Sequence, residues 1–203
     1  MDCATTMAIA ETIHGWMTLP ELRWLFETAR SLPRQSRWVE LGSWKGRSFF
    51  TVAMGLRSGS TLTAVDSFPT AHTALPFVPT REWVRDHFEI VLSTARKLRP
   101  DLNLEVICDD SADSSRSFPT KEADVVFFDA DHSLEGLTRE LDAWLPKAKP
   151  DAIICGHDYS DGFPGIVRLI DERFPERIVV PETSIWVAKQ CIPAATSLLH
   201  NSP

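Results

Sequence analysis

Apolar residues recur along the chain in two rhythms. Leu22, Leu25, Phe26, Ala29 and Leu32 follow helical spacing behind Thr18-Leu19-Pro20-Glu21, a capping box with an early-turn proline, and Pro33 stops that helix. A short apolar run, Arg37–Leu41, then predicts a strand. It ends in a turn with two glycines, and a helix carrying Phe49, Phe50, Val52, Ala53 and Leu56 begins at once. Further strands are predicted at 61–65, 104–108, 124–128 and 152–155. Between them lie a helix over 81–98, one capped by Ser133 and ended by Pro150, and one carrying Ile166, Leu169, Ile170 and Phe174. Two last strands, about 177–180 and 184–189, flank Pro181-Glu182-Thr183.

Strands that alternate with helices until a final strand pair predict an α/β fold. Its form is a doubly wound, mostly parallel seven-stranded sheet in three α/β/α layers, with an antiparallel C-terminal pair. A single domain over 1–203 is expected. Within it, 1–16 form an N-terminal arm or short helix, 67–98 a lid or substrate insertion, and 190–203 a loose tail. Ser67–Thr80 carries three prolines with Phe68 and Phe77, and is long for a loop in a compact α/β unit. Those aromatics and Trp83 are candidate substrate contacts.

Composition narrows the partners. The chain has 203 residues, 43% hydrophobic and 24% charged, with a net charge of −7. That balance argues against nucleic acid and anionic membrane surfaces. No apolar run approaches a membrane span, and Met1–Glu11 lacks the features of a signal peptide, so the cytoplasm is the expected compartment. Cys3, Cys108, Cys155 and Cys191 have no zinc-like spacing and read as buried structural thiols. Trp16 and the N-terminal helix are candidates for a homodimer contact.

In open α/β sheets, ligands bind beyond the carboxyl ends of the strands. Here those ends are acidic: Glu40, Asp66, Asp109 with Asp110, Asp129 with Asp131 and His132, and His157 with Asp158. Carboxylates converging on one rim repel, so a cation or many donors must share the site. Asp66 follows Gly42 by 24 residues, at the end of the second strand, where a carboxylate can accept both ribose hydroxyls of a nucleoside. The turn Gly42-Ser43-Trp44-Lys45-Gly46 places a bulky tryptophan where a dinucleotide site needs glycine spacing, which suits a ligand without phosphates.

Glu40-Leu41-Gly42 with Gly46-Arg47-Ser48 resembles the first motif of class I S-adenosylmethionine-dependent methyltransferases. Phe128-Asp129-Ala130-Asp131-His132-Ser133 and Gly156-His157-Asp158-Tyr159 resemble a small-molecule O-methyltransferase group related to the catechol O-methyltransferase type. The resemblance covers about residues 17–189. It implies transfer of a methyl group from S-adenosyl-L-methionine to a hydroxyl of a small-molecule acceptor. It also implies that Glu40, Gly42, Ser43, Gly46 and Ser48 surround the methionine moiety and that Asp66 holds the ribose. Asp110, Ser111 and Ala112 would edge the adenine, with Asp129 also against the cofactor. In metal-dependent relatives the acid ending strand four binds a divalent ion, so Asp129, with His157 and Asp158, is the candidate ligand set for magnesium or manganese. A set that contains histidine suits manganese, iron or zinc better than magnesium; the alternative is that no metal binds and His157 or His132 does proton work.

His132 stands where the catechol enzymes place a catalytic lysine. An imidazole that titrates near neutrality beside Asp129 or Asp131 is a candidate general base, so His132 and Asp129 are the expected catalytic pair. Two other readings share the fold class: an NAD-dependent oxidoreductase, against which the glycine turn counts, and a non-catalytic S-adenosylmethionine-binding module.

Overall fold

The computed structural model of the chain describes residues 1–68 and 81–188. Helices α1 (Cys3–Ala10) and α2 (Leu19–Ser31) precede strand β1 (Arg37–Leu41), helix α3 (Arg47–Gly55) and strand β2 (Thr61–Val65). Helix α4 (Arg81–Leu98), strands β3 (Asn103–Ile107) and β4 (Ala123–Phe128), and helix α5 (Leu134–Trp144) follow. Strand β5 (Ala148–Gly156), helix α6 (Pro164–Arg173) and the short strands β6 (Ile178–Val179) and β7 (Trp186–Val187) complete the fold. The sheet order is β3-β2-β1-β4-β5-β7-β6. β1 to β5 run parallel, and β7 is antiparallel to both β5 and β6. The chain order reverses between β1 and β4, which puts a ligand crevice at the carboxyl ends of those strands.

Both faces of the sheet are covered, so apolar residues alternate between two cores. Trp38 of β1 and Val125 and Phe127 of β4 pack with α1 to α4. Val39, Leu41, Val126 and Phe128 pack with α5 and α6. Glu40 therefore points, like Trp38, toward α3. The helix boundaries follow local chemistry. Thr18 and Glu21 form the reciprocal box at the start of α2, and Ser133 Oγ accepts from Gly136 N at 3.0 Å to cap α5.

The weakly patterned N-terminus, expected as an arm or short helix, contains the short helix α1, capped by the Asp2 side chain. Two local expectations change. Pro150 does not end α5. The helix stops at Trp144, and Pro150 lies inside β5, which advances from Ala148 to Ile153 while β4 advances only from Ala123 to Val125. Proline has no N–H to donate, and this irregular stretch of ladder does not need one. Cys155 is buried, but Cys108 is exposed beyond β3. The proline-rich part of the expected lid, 69–80, and the expected tail, 190–203, lie outside the described residues, as does Cys191. Among the described residues no helix is long and apolar enough to cross a membrane.

Candidate active site

The turn after β1 is shaped by close approach of backbone. Gly42 has φ +85°, and a Cβ there would lie 2.2 Å from the carbonyl oxygen of Asp129 and 2.6 Å from Ala130 Cα. Only glycine lets the ends of β1 and β4 meet this closely. Gly46, at φ +88°, is the N-cap of α3, and its N–H donates to Ser43 O at 2.7 Å. Beneath the turn Glu40 is fully buried. Its Oε1 accepts from Ser48 Oγ at 3.0 Å, while its Oε2 and the buried Ser43 Oγ have no partner. Burial raises the Glu40 carboxyl to about 8, against the opposing effect of the neighbouring Ser43 and Ser48 hydroxyls. The group is largely protonated at neutral pH. Two orphaned buried polar atoms under a glycine cradle are what a zwitterionic ligand such as the methionine end of S-adenosylmethionine would satisfy, so these residues fit that cofactor.

Asp66 closes one side of the turn. Its Oδ2 accepts the N–H of Trp44 at 2.6 Å and its Oδ1 that of Phe68. Burial still raises its pKa. Phe68 itself is a core residue, packed on Phe88 with ring centroids 5.2 Å apart. Beyond β3, Asp110 Oδ1 accepts the N–H groups of Ala112 and Asp113, both at 3.0 Å, and so bends the chain. Ser111 is held from below by α5: its hydroxyl bonds Glu140 and its carbonyl accepts from Trp144 Nε1 at 2.6 Å. Glu140 is buried, and burial raises its carboxyl to about 7.

The acids ending β4 and β5 meet a cation from within the chain. His157 Nδ1 lies 2.9 Å from Asp158 Oδ1 and 3.4 Å from Asp129 Oδ1, and its Nε2 lies 3.1 Å from Glu21 Oε1. Burial disfavours the charged ring, but the three carboxylates outweigh it and push its pKa up to about 12. His157 thus serves as a cation that balances the carboxylates around it. The expected ligands Asp129, His157 and Asp158 do come together in space. The groups whose donor atoms converge, however, are Asp129, His132 and Asp158, all within 4.8 Å of one another.

His132 Nδ1 lies 2.6 Å from Asp158 Oδ2. That hydrogen bond raises the imidazole's pKa, burial opposes it, and Asp129 adds to the rise. Burial would lift the Asp158 carboxyl, but hydrogen bonds from His132 and His157 hold it below the usual carboxylate range. Burial raises Asp129. Asp131, expected beside His132, turns away instead. Its Oδ1 accepts from Ser133 N at 2.9 Å, and its carboxylate occupies the space a Cβ of Gly136 would take. It serves the N-terminus of α5.

Glu21 and Arg47 are site residues that sequence reasoning missed. Glu21 read as a capping residue only. Arg47, the first residue of α3, donates to the carbonyls of Ala10, Glu11, Ile13, Gly15 and Met17 and so fastens the N-terminal arm to the turn. The arm brings Trp16 onto Trp44, ring centroids 4.2 Å apart. Trp16 thus makes a contact within the chain, while 68% of it remains exposed.

Comparison with known proteins supplies the family. The profile of a family described as methyltransferase domain matches residues 39–159. Among curated proteins, none matches the chain by sequence. A protein from Corynebacterium glutamicum shares the fold at 13% identity with a TM-score of 0.63, over 96% of this chain and 93% of its own. An O-methyltransferase from Bacillus cereus, solved with S-adenosylhomocysteine, does so at 15% identity and TM-score 0.57, over 91% and 89%. The O-methyltransferase TomG from Streptomyces achromogenes, solved with S-adenosylmethionine and involved in tomaymycin synthesis, matches at 16% and 0.56, over 92% and 88%.

Proposed function

Because the chain belongs to the methyltransferase-domain family, we propose that it transfers a methyl group from S-adenosylmethionine to a hydroxyl of a small molecule. The observation that carries this reading is the pair of orphaned buried atoms, Glu40 Oε2 and Ser43 Oγ, beneath the Gly42 turn. They lie at the sheet's crossover point, on the same rim of strand ends as His132, which Asp158 holds. In this reading Glu40 and Ser43 receive the methionine end, Asp66 the ribose, and Asp110, Ser111 and Ala112 the adenine edge.

The sulfonium supplies a methyl group already activated for displacement. The chain's own tasks are to align the acceptor oxygen behind that methyl, to exclude water and to remove one proton. His132 is the base: Asp158 fixes its ring, and the acceptor O–H proton passes to the imidazole as the oxygen–carbon bond forms. The carbon–sulfur bond breaks with its electron pair left on sulfur, giving S-adenosylhomocysteine and the methyl ether. His157 favours the ionised forms of Asp129 and Asp158 and holds both in place.

A second reading adds a divalent ion, supported by the convergence of Asp129, His132 and Asp158. Two carboxylate oxygens with one imidazole nitrogen fit manganese better than magnesium. Bound there, the ion would lower the pKa of an acceptor hydroxyl.

The test is methyl transfer to a panel of small hydroxyl acceptors. His132→Ala and Asp158→Asn should each lower turnover about 100-fold or more. If His132 is the base, activity persists in a chelator; if the ion is required, the chelator abolishes it and manganese restores it. Full activity in both variants contradicts the assignment.

A further inference from the structure

Among the described residues, two buried carboxylates meet imidazoles. Glu21 meets His157 and Asp158 meets His132. Lys45, in the turn between β1 and α3, is 2% exposed and forms no ion pair among the described residues. Its ammonium lies 3.5 Å from the ring centroid of Trp83 and 4.5 Å from that of Trp44. Burial lowers its pKa, and no acidic side chain counters this.

The surroundings add positive charge. Beyond burial, Lys45, Arg47 and His87 all act to push the His14 ring toward its neutral form. This cluster stands out in a chain whose net charge is −7. Faces of two indoles offset part of the cost of burying an ammonium, but a cation–π contact returns less than the desolvation of an ion costs. The remaining deficit favours an anion, and a carboxylate would gain charge-assisted hydrogen bonds from the three N–H groups of Lys45.

We propose that Lys45 anchors a carboxylate of a ligand bound at the β1–α3 turn, with the faces of Trp44 and Trp83 as its walls. The proposal deepens the methyl-transfer function and rests on it. Two ligands can supply that carboxylate. One is the amino-acid end of S-adenosylmethionine, whose ammonium would meet Glu40 on the other side of the turn. The other is an acceptor that carries an acid group beside its hydroxyl.

Two probe pairs separate these sources by calorimetry on the full chain and on Lys45→Gln. S-adenosylhomocysteine and 5′-methylthioadenosine share the nucleoside and differ in the amino-acid end. With S-adenosylhomocysteine present, 3,4-dihydroxybenzoate and catechol share the ring and hydroxyls and differ in the carboxylate. Lys45→Gln should weaken the carboxylate-bearing member of one pair about tenfold or more and leave its partner unchanged. Loss confined to the first pair names the cofactor as the source, and loss confined to the second names the acceptor. Lys45→Arg, which keeps the charge, should recover most of the lost affinity, and unchanged binding of the uncharged partners shows that the variants are folded. If wild type binds both nucleosides and Lys45→Gln alters neither ratio, the proposal falls alone. If wild type binds neither nucleoside, the methyl-transfer reading fails and takes the proposal with it.

Discussion

Glu21 Oε1 lies 3.1 Å from His157 Nε2 and also accepts the N–H and hydroxyl of Ser184, both at 3.0 Å. One carboxylate thus starts α2, pins the turn before β7 and holds the cation that balances the acids of the site. Burial would raise the Glu21 carboxyl, but His157, Ser184 and Thr18 outweigh it and lower it from 4.5 to about 2. A depressed carboxylate pKa stabilises the fold above the unfolded value and loses that contribution as pH falls through the folded value.

Glu21→Gln should therefore cost about 3 kcal/mol near neutral pH, because it leaves a buried cation short of a partner. For a chain of this size that is a loss of roughly 6–12 °C in Tm. The gap between wild type and variant should hold above pH 4.5 and shrink as pH falls toward about 2. Thermal unfolding across that window checks it, and a gap independent of pH contradicts it.

Gly42→Ala should damage the fold as well as the site. The added Cβ would meet the Asp129 carbonyl oxygen at 2.2 Å, and φ +85° is strained for any side chain. We expect about 2 kcal/mol or more of lost stability. Gly162→Ala, with its nearest neighbour at 3.7 Å, should be nearly neutral. Denaturant melts of the two variants make the comparison.

Arg47→Met should release the N-terminal arm. Its guanidinium serves five carbonyls between Ala10 and Met17, and methionine serves none. Charge-assisted bonds of this kind contribute about 1.5–3 kcal/mol each at most. Limited proteolysis should then cut between residues 10 and 17 faster than in wild type, with the remainder of the chain still resistant. Unchanged cleavage would show that the arm is held by packing alone.

Glu40 predicts a proton signal. Burial raises its carboxyl from 4.5 to about 8, so the ligand-free fold should lose stability as pH climbs through that interval. A ligand ammonium that pairs with Glu40 will ionise it. Binding of S-adenosylhomocysteine near pH 7 should release about one proton, read as a dependence of calorimetric enthalpy on the buffer's ionisation enthalpy. Glu40→Gln should remove that dependence.

Much of this fold is legible in the chain because both apolar rhythms are strong. The strands at 37–41 and 61–65, the capped helices and the antiparallel close follow from spacing, caps and prolines. Pro150 misled because it breaks helices far more often than it enters strands, and the irregular β4–β5 ladder that accommodates it is a tertiary feature. The acid-rich rim was legible as a site that needs a cation. Which cation it is was not, because Glu21 lies 136 residues from His157 in sequence and carries a complete local explanation as a capping residue. Likewise Asp158 rather than Asp131 supports His132, since the helix N-terminus that draws Asp131 away exists only once α5 is formed.

The central claim is that the turn from Glu40 to Ser48 holds the methionine end of S-adenosylmethionine. Calorimetric titration of the full chain with S-adenosylhomocysteine, set beside NAD, tests it most directly. The account predicts saturable binding of one S-adenosylhomocysteine per chain, weakened about tenfold or more in Glu40→Gln, and no heat from NAD. Binding of NAD alone, or equal affinity for S-adenosylhomocysteine in wild type and Glu40→Gln, would contradict it.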